Sequence, residues 1–196
     1  MTKKSLLTTV VILLATFIFS GSQVIANQKV TESQIVEQII ETAINMGVEP
    51  EIALGIAKKE SEFCQEKRSS AGAVGVFQLM PSTARRIGYN PYQYKENIKG
   101  GIAYYKHLKQ IFKTDELALA AYNAGPGIVK RCGGMPPYAE TKRFVRLVMA
   151  YSNEFKTNAN SDVAKKVAAN KQKREMIAAE KEHREMITLF MLNQAI

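Results

Sequence analysis

The chain has 196 residues, 46% apolar and 23% charged, with twelve glycines, six prolines and a formal charge of +9. That balance fits one modest globular domain with additions and excludes wholesale disorder, which goes with fewer apolar residues and a larger charge imbalance. The positive charge suits an anionic polymer, yet no basic stripe with interleaved aromatics and no zinc-finger spacing points to nucleic acid.

The first 26 residues, MTKKSLLTTVVILLATFIFSGSQVIA, place Lys3 and Lys4 before an apolar run from Leu6 to Phe19, then small and polar residues ending in Val24, Ile25 and Ala26. This is the pattern of a secretory signal peptide cleaved after Ala26. An uncleaved anchor is the alternative, but the run is short of the roughly 20 residues a full span needs. No Cys follows the run, which disfavours lipoprotein processing. Losing Lys3 and Lys4 takes the charge from +9 to +7. Export to the periplasm or beyond makes an anionic cell-wall polymer the fitting partner. It also makes a disulfide between Cys64 and Cys132 the expected pairing, with two buried free thiols as the alternative.

TESQIVEQIIETAINMG opens with Thr31 and Gln34 at capping-box spacing, carries Ile35, Val36, Ile39, Ile40, Ala43 and Met46 on one face, and stops at Gly47, predicting a helix. Pro50 opens a second helix to about Phe63. CQEKRSSAGAVGVFQLMP, with Gly72 and Gly75 among small residues, predicts a packed irregular loop; VGVFQL as a short strand is the alternative. Pro81 to Ile87 predicts a short helix, and NPYQYKEN a connector. From Ile98, the spacing of Ile102, Tyr105, Leu108 and Phe112 predicts a long helix, and Thr114 caps another through Tyr122. Asn123, Gly125, Pro126 and Gly127 break it. A short IVKRC helix, a GGMPPY loop and a helix from Glu140 to about Phe155 follow. Residues 158–196 are charged, free of Gly and Pro, and carry REMI at 174 and 184. They predict a helical tail with an apolar end that docks on the domain or binds a partner.

One carboxylate stands out in this pattern. At about 100° per residue, Ala53, Ile56, Ala57 and Phe63 lie within roughly 60° of Glu60, whereas Lys58 and Glu62 point the other way. An acid inside an apolar arc is driven towards its protonated form. Glu62 points away and no further acidic residue near it follows until Glu66 and then Glu96, so the local sequence offers no partner of the kind two-carboxylate glycosidases use. A single carboxyl suffices where the substrate supplies its own nucleophile, because it can first donate and then accept a proton. His107 and His183 are the only histidines, and HExxH and GxSxG are absent, which disfavours a multi-His metal site or a hydrolase elbow.

Glu60-Ser61, then SSAGAVGVFQLMPSTARRIG (69–88), NIKGGIAYY (97–105), ALAAYNAGPGIV (118–129) and PYAETKRFVRLV (137–148) resemble, in order and spacing, the soluble lytic transglycosylase family. The resemblance covers nearly all of residues 33–150. It implies an all-α, lysozyme-like (goose-type) catalytic domain over residues 27–157, with no cofactor. It also implies that Glu60 alone protonates the bond between N-acetylmuramic acid and N-acetylglucosamine, then deprotonates the muramoyl 6-hydroxyl to give a 1,6-anhydro sugar without water. By the same resemblance Ser69 orients the acid or the muramoyl group. Gly75, Gln78 and Met80 line the glycan cleft, Tyr122 and Asn123 contact the acid or an N-acetyl group, and Tyr138 and Glu140 form the rim. Phe77 stands where the family usually has Met, implying a differently shaped cleft wall. Peptidoglycan is the implied substrate, and the tail is a candidate contact for an envelope-spanning machine. A hydrolytic muramidase on the same fold and a non-catalytic wall-binding adaptor are the rival readings.

Overall fold

Thr31 closes its capping box as its side chain and sequence require: the Gln34 amide N–H donates to Thr31 Oγ1 at 3.3 Å, and Thr31 N–H donates to Gln34 Oε1 at 2.9 Å. This starts α1 (Glu32–Met46), which ends at Gly47 in the left-handed region. The computed structural model describes residues 30–158 and 162–194; the expected signal peptide lies outside the described residues. After α1 come α2 (Pro50–Ser61), α3 (Pro81–Arg86), α4 (Tyr94–Phe112), α5 (Asp115–Ala124), α6 (Pro126–Cys132), α7 (Ala139–Thr157) and α8 (Asp162–Gln194). The described residues are therefore helical, with two irregular loops before α3 and α7.

The centre of the molecule is α2, buried from Pro50 to Ala57. It packs between α1 on one side and α7 on the other, with Val148 brought against the backbone at Gly55. α4 and α5 pack against each other, α4 also on α1 and α5 also on α7. Thr114 Oγ1 accepts from Leu117 N–H at the start of α5, and Asp115 accepts from Tyr105 and, at 2.7 Å, from Lys109, tying the turn to α4. Ile39, Leu54, Ile56, Ile98, Leu108, Leu119 and Val148 fill the shared core and are essentially inaccessible.

One boundary differs from the sequence reading, whereas the packed irregular loop at 64–81 is as expected. The NPYQYKEN connector turns helical at Tyr94, because Asn97 is held inside the core and draws the first turn of α4 inward. VGVFQL forms no strand: Val74 pairs only with Arg68 and Leu79 in isolated bridges, closing a tight turn.

The disulfide expected between Cys64 and Cys132 is absent; both are free thiols. Glu62 and Phe63 adopt left-handed backbone after α2, and beyond them the Cys64 thiol donates to Glu66 Oε2 at 3.4 Å. Cys132 is exposed at the end of α6. Neither is buried, so the alternative of two buried thiols is not realised either.

The first turns of α8 pack on α1 and α7. Val167 is buried, Lys166 donates to Ser33 Oγ at 2.7 Å, and Lys171 lies 4.0 Å from Glu51. Farther on, Met186, Ile187, Leu189, Phe190 and Met191 are exposed. No helix among the described residues is long and apolar enough to cross a membrane.

Candidate active site

Glu60 occupies the last turn of α2, where the helix runs out of the core. The next residue fixes that end: Ser61 Oγ donates to the Val76 carbonyl at 2.8 Å and accepts from Cys64 N–H at 3.2 Å. The serine therefore joins the acid's helix to the GVFQL loop. Opposite, Tyr122 donates its hydroxyl to the Phe77 carbonyl at 2.8 Å, joining α5 to the same loop. Tyr122 packs against Tyr104, ring centres 5.3 Å apart, and stacks on Phe144 at 6.4 Å. An aromatic wall from α4, α5 and α7 thus stands beside the acid.

That surrounding has an electrostatic consequence. Burial pushes the Glu60 carboxyl up from its ordinary 4.5 to about 7. The Lys59 and Lys67 ammonium groups pull it down, and the Glu140 carboxylate pushes it further up. Burial, and next the nearby Glu60 charge, hold the Tyr122 phenol well above its ordinary value, so it remains a neutral donor. A carboxyl that titrates near neutrality can both give and take a proton, the requirement for general acid-base work.

The loop facing Glu60 is held by a residue that sequence reasoning did not single out. Asn97, wholly buried, accepts from Phe77 N–H at 2.8 Å and donates to the carbonyls of Val74 at 2.7 Å and Pro91 at 3.0 Å. Gly75 is required beside it. Its φ is +77°, and a Cβ there would lie 2.6 Å from the Asn97 amide nitrogen. The available signal was an Asn inside an otherwise apolar face of a helix, three residues before the Gly100-Gly101 pair. Ser61 was likewise legible as a polar residue adjoining the acid.

The other expected site residues divide by what their side chains do. Gln78, at φ +44°, donates its amide to the carbonyls of Gly75 at 2.8 Å and Lys67 at 3.1 Å, so its nitrogen braces the loop and its oxygen remains for a ligand. Asn123 Oδ1 accepts from Thr141 Oγ1 at 2.9 Å, linking α5 to α7. Asn123 and Glu140, with Lys59, Arg143 and Phe144, line a depression of about 260 Å³, and the charges of its Lys59 and Glu140 reach Glu60. Glu60 acts electrostatically on Tyr122 and is acted on by Glu140, and Asn123 shares the depression with Glu140. Ser69 is exposed and its hydroxyl accepts from Ala73 N–H at 2.9 Å, closing its own loop. Met80 and Tyr138 are exposed at the N-caps of α3 and α7. Phe77 is fully buried and forms no exposed part of the cleft wall, with its ring packed so closely on Gly101 that a Cβ there would come within 2.2 Å. Among the described residues no cluster of three or more His, Cys, Asp or Glu side chains is placed to hold a metal ion.

The family model described as the Transglycosylase SLT domain matches residues 37–145, more than half of the chain. The chain is 32% identical over 129 residues to the soluble lytic murein transglycosylase of Escherichia coli, an overlap of 53% of this chain and 20% of that protein. It is 30% identical over 142 residues to a putative soluble lytic murein transglycosylase of Haemophilus influenzae, covering 60% and 24%. In three dimensions it is similar to an inactive mutant of the lytic transglycosylase Slt from Pseudomonas aeruginosa, with a TM-score of 0.53, 30% identity, and coverage of 59% of this chain and 22% of that one. The chain thus spans only a fifth to a quarter of the length of these relatives. By the extent of the family match and the helical frame that carries it, the chain belongs to the transglycosylase SLT family and has its all-α, lysozyme-like fold.

Proposed function

We propose that the protein is a peptidoglycan lytic transglycosylase that cleaves the β-1,4 bond between N-acetylmuramic acid and N-acetylglucosamine without water. The observation carrying this reading is Glu60, a carboxyl that holds its proton to about pH 7 beside an aromatic wall. In the first step Glu60 gives that proton to the glycosidic oxygen, the bond to the anomeric carbon breaks, and the N-acetylglucosamine side leaves as an alcohol. In the second step the carboxylate takes the proton of the muramoyl 6-hydroxyl as its oxygen bonds to the anomeric carbon. Atoms balance without a water molecule, and the acid returns to its starting form. Tyr122, Asn123 and the Gln78 oxygen are the polar groups we assign to holding the sugar. Gly75 is buried and serves the loop by leaving room for the Asn97 amide, so it does not itself line the groove, and Ser69, Met80 and Tyr138 border it.

Glu140 gives the hydrolytic alternative its one supporting observation, since its charge reaches Glu60. It is exposed, and its influence is the smallest of those acting on the acid, which favours a rim role over activation of water. Mass spectrometry of sacculus digests separates the two: lytic products are lighter than hydrolytic ones by one water per cut. A substrate in the cell wall goes with export, for which the signal-peptide pattern of residues 1–26 is the support, and with a periplasmic or secreted location. The exposed apolar end of α8 is the surface we assign to an envelope partner.

A further inference from the structure

A second depression, of about 390 Å³, opens where α3 gives way to α4, and Arg85, Tyr89, Asn90 and Tyr92 line it. None of these residues is among those whose charge acts on Glu60, so the two proton transfers do not use them. Tyr92 is 61% exposed, yet it is braced from three directions. Its N–H donates to Asn90 Oδ1 at 3.0 Å, and its carbonyl accepts from Gln65 Nε2 at 3.4 Å. Over the ring, 5.9 Å from its centre, lies the Arg68 guanidinium, itself fixed by donating to the Gln65 and Lys67 carbonyls at 3.0 and 2.9 Å. Tyr89 is seated against α4, where a Cβ on Gly100 would come within 3.1 Å of it. Such bracing adds little to the stability of a ring left in water. It does lower the entropy lost when a ligand covers the open side.

The lining joins two tyrosine rings to a guanidinium and an amide, and holds no carboxylate. Asn90 has its oxygen engaged by Tyr92, which leaves its two N–H donors, and Arg85 is exposed on the same side. Aromatic faces of this kind take the C–H face of a pyranose ring, while the surrounding donors take its hydroxyl and acetamido oxygens. A nucleic-acid base would also stack on a tyrosine, but a phosphate backbone needs more cations than Arg68 and Arg85 supply. We propose that the Tyr89–Tyr92 face is a second carbohydrate-binding site, separate from the cleft, that takes N-acetylated sugar rings of wall glycan and holds the protein on insoluble sacculi. Wall glycan as the ligand rests on the lytic transglycosylase reading; the stacking chemistry of the lining does not.

The test uses the full chain carrying Glu60→Gln, so that binding is read without cleavage. A trimer of N-acetylglucosamine, titrated by NMR, is expected to shift the backbone amides of residues 89, 90 and 92. Those shifts vanish in the Tyr92→Ala/Arg85→Ala double variant and persist in Tyr92→Phe, which keeps the ring. Co-sedimentation with sacculi is expected to weaken about tenfold in the double variant, as loss of a stacked ring and a charged donor provides. With Glu60 intact, the same double variant is expected to raise KM on sacculi at unchanged kcat, and to cut short soluble strands at the native rate. No shifts at residues 89–92, sacculus binding that survives the double substitution, or equal shifts with a single-stranded oligonucleotide overturns the proposal. If nothing is cut but the shifts appear and sacculus binding falls with the double substitution, the lytic reading fails and the second site stands. Absence of cleavage, shifts and sacculus binding removes both.

Discussion

Glu60 keeps its proton because its carboxyl is buried at the end of α2, near enough to Tyr122 for its charge to act on that phenol, and the nearby lysines only partly offset that desolvation. Above about pH 7 the carboxyl loses the proton that the first step needs, so the cleavage rate is predicted to fall on the alkaline side with a midpoint near that value. A pH profile of kcat/KM checks it. Linkage has a definite sign here. The folded value lies above the ordinary 4.5, so the stabilising contribution of the neutral acid is complete below 4.5 and is lost as pH rises through about 7. Glu60→Gln is therefore expected to lower cleavage by roughly 10²–10⁴-fold. The same variant is expected to gain stability above neutrality, by at most ~3 kcal/mol, with the gain vanishing near pH 4. Urea titrations of both proteins at two pH values read this out; a variant that is inactive and less stable at every pH contradicts it.

At the level of elements, the site depends on a loop that forms no regular structure and is held from outside. Asn97 satisfies one N–H and two carbonyls of that loop and its flank. Asn97→Ala is expected to cost about 2–4 kcal/mol, since three buried groups lose their partner. It should also slow cleavage, because Val76 and Phe77 anchor the helix of the acid and Tyr122. The urea midpoint and the sacculus digestion rate measure the two effects. The helices themselves were legible in the sequence: the Thr31 capping box, Pro50 at the first position of α2, and the Thr114 cap are all local signals, and local hydrogen bonds realise them. The start of α4 was not, because a buried Asn recruits Tyr94 to Asn97 through contacts with a loop about twenty residues away. The cysteine pairing failed for a related reason. Redox compartment suggests a bridge, but Cys64, after the left-handed turn at Glu62 and Phe63, bonds to Glu66, and Cys132 is an exposed free thiol. Glu60 was legible from periodicity alone, whereas Glu140, eighty positions later, meets it only through the packing of α7 on α2.

Across the whole molecule, the acid, its loop and the helices that enclose it all precede residue 158, and α8 adds to this frame through Val167, Lys166 and Lys171. Deleting residues 158–196 is expected to lower stability by roughly 1–3 kcal/mol, the burial of one Val plus weak surface contacts. Cleavage by the shortened chain should stay within about twofold of the full chain, because that loss does not reach the proton-transfer geometry. Thermal unfolding and sacculus digestion of the shortened chain check both figures. The central claim is that one carboxyl moves a proton twice while the sugar closes on itself, and digestion of sacculi in heavy-oxygen water tests it most directly. The account predicts anhydro-muramoyl ends carrying no solvent oxygen, produced by the native chain and not by Glu60→Gln. Heavy oxygen at the cut ends, or undiminished cleavage by the Gln variant, would contradict it.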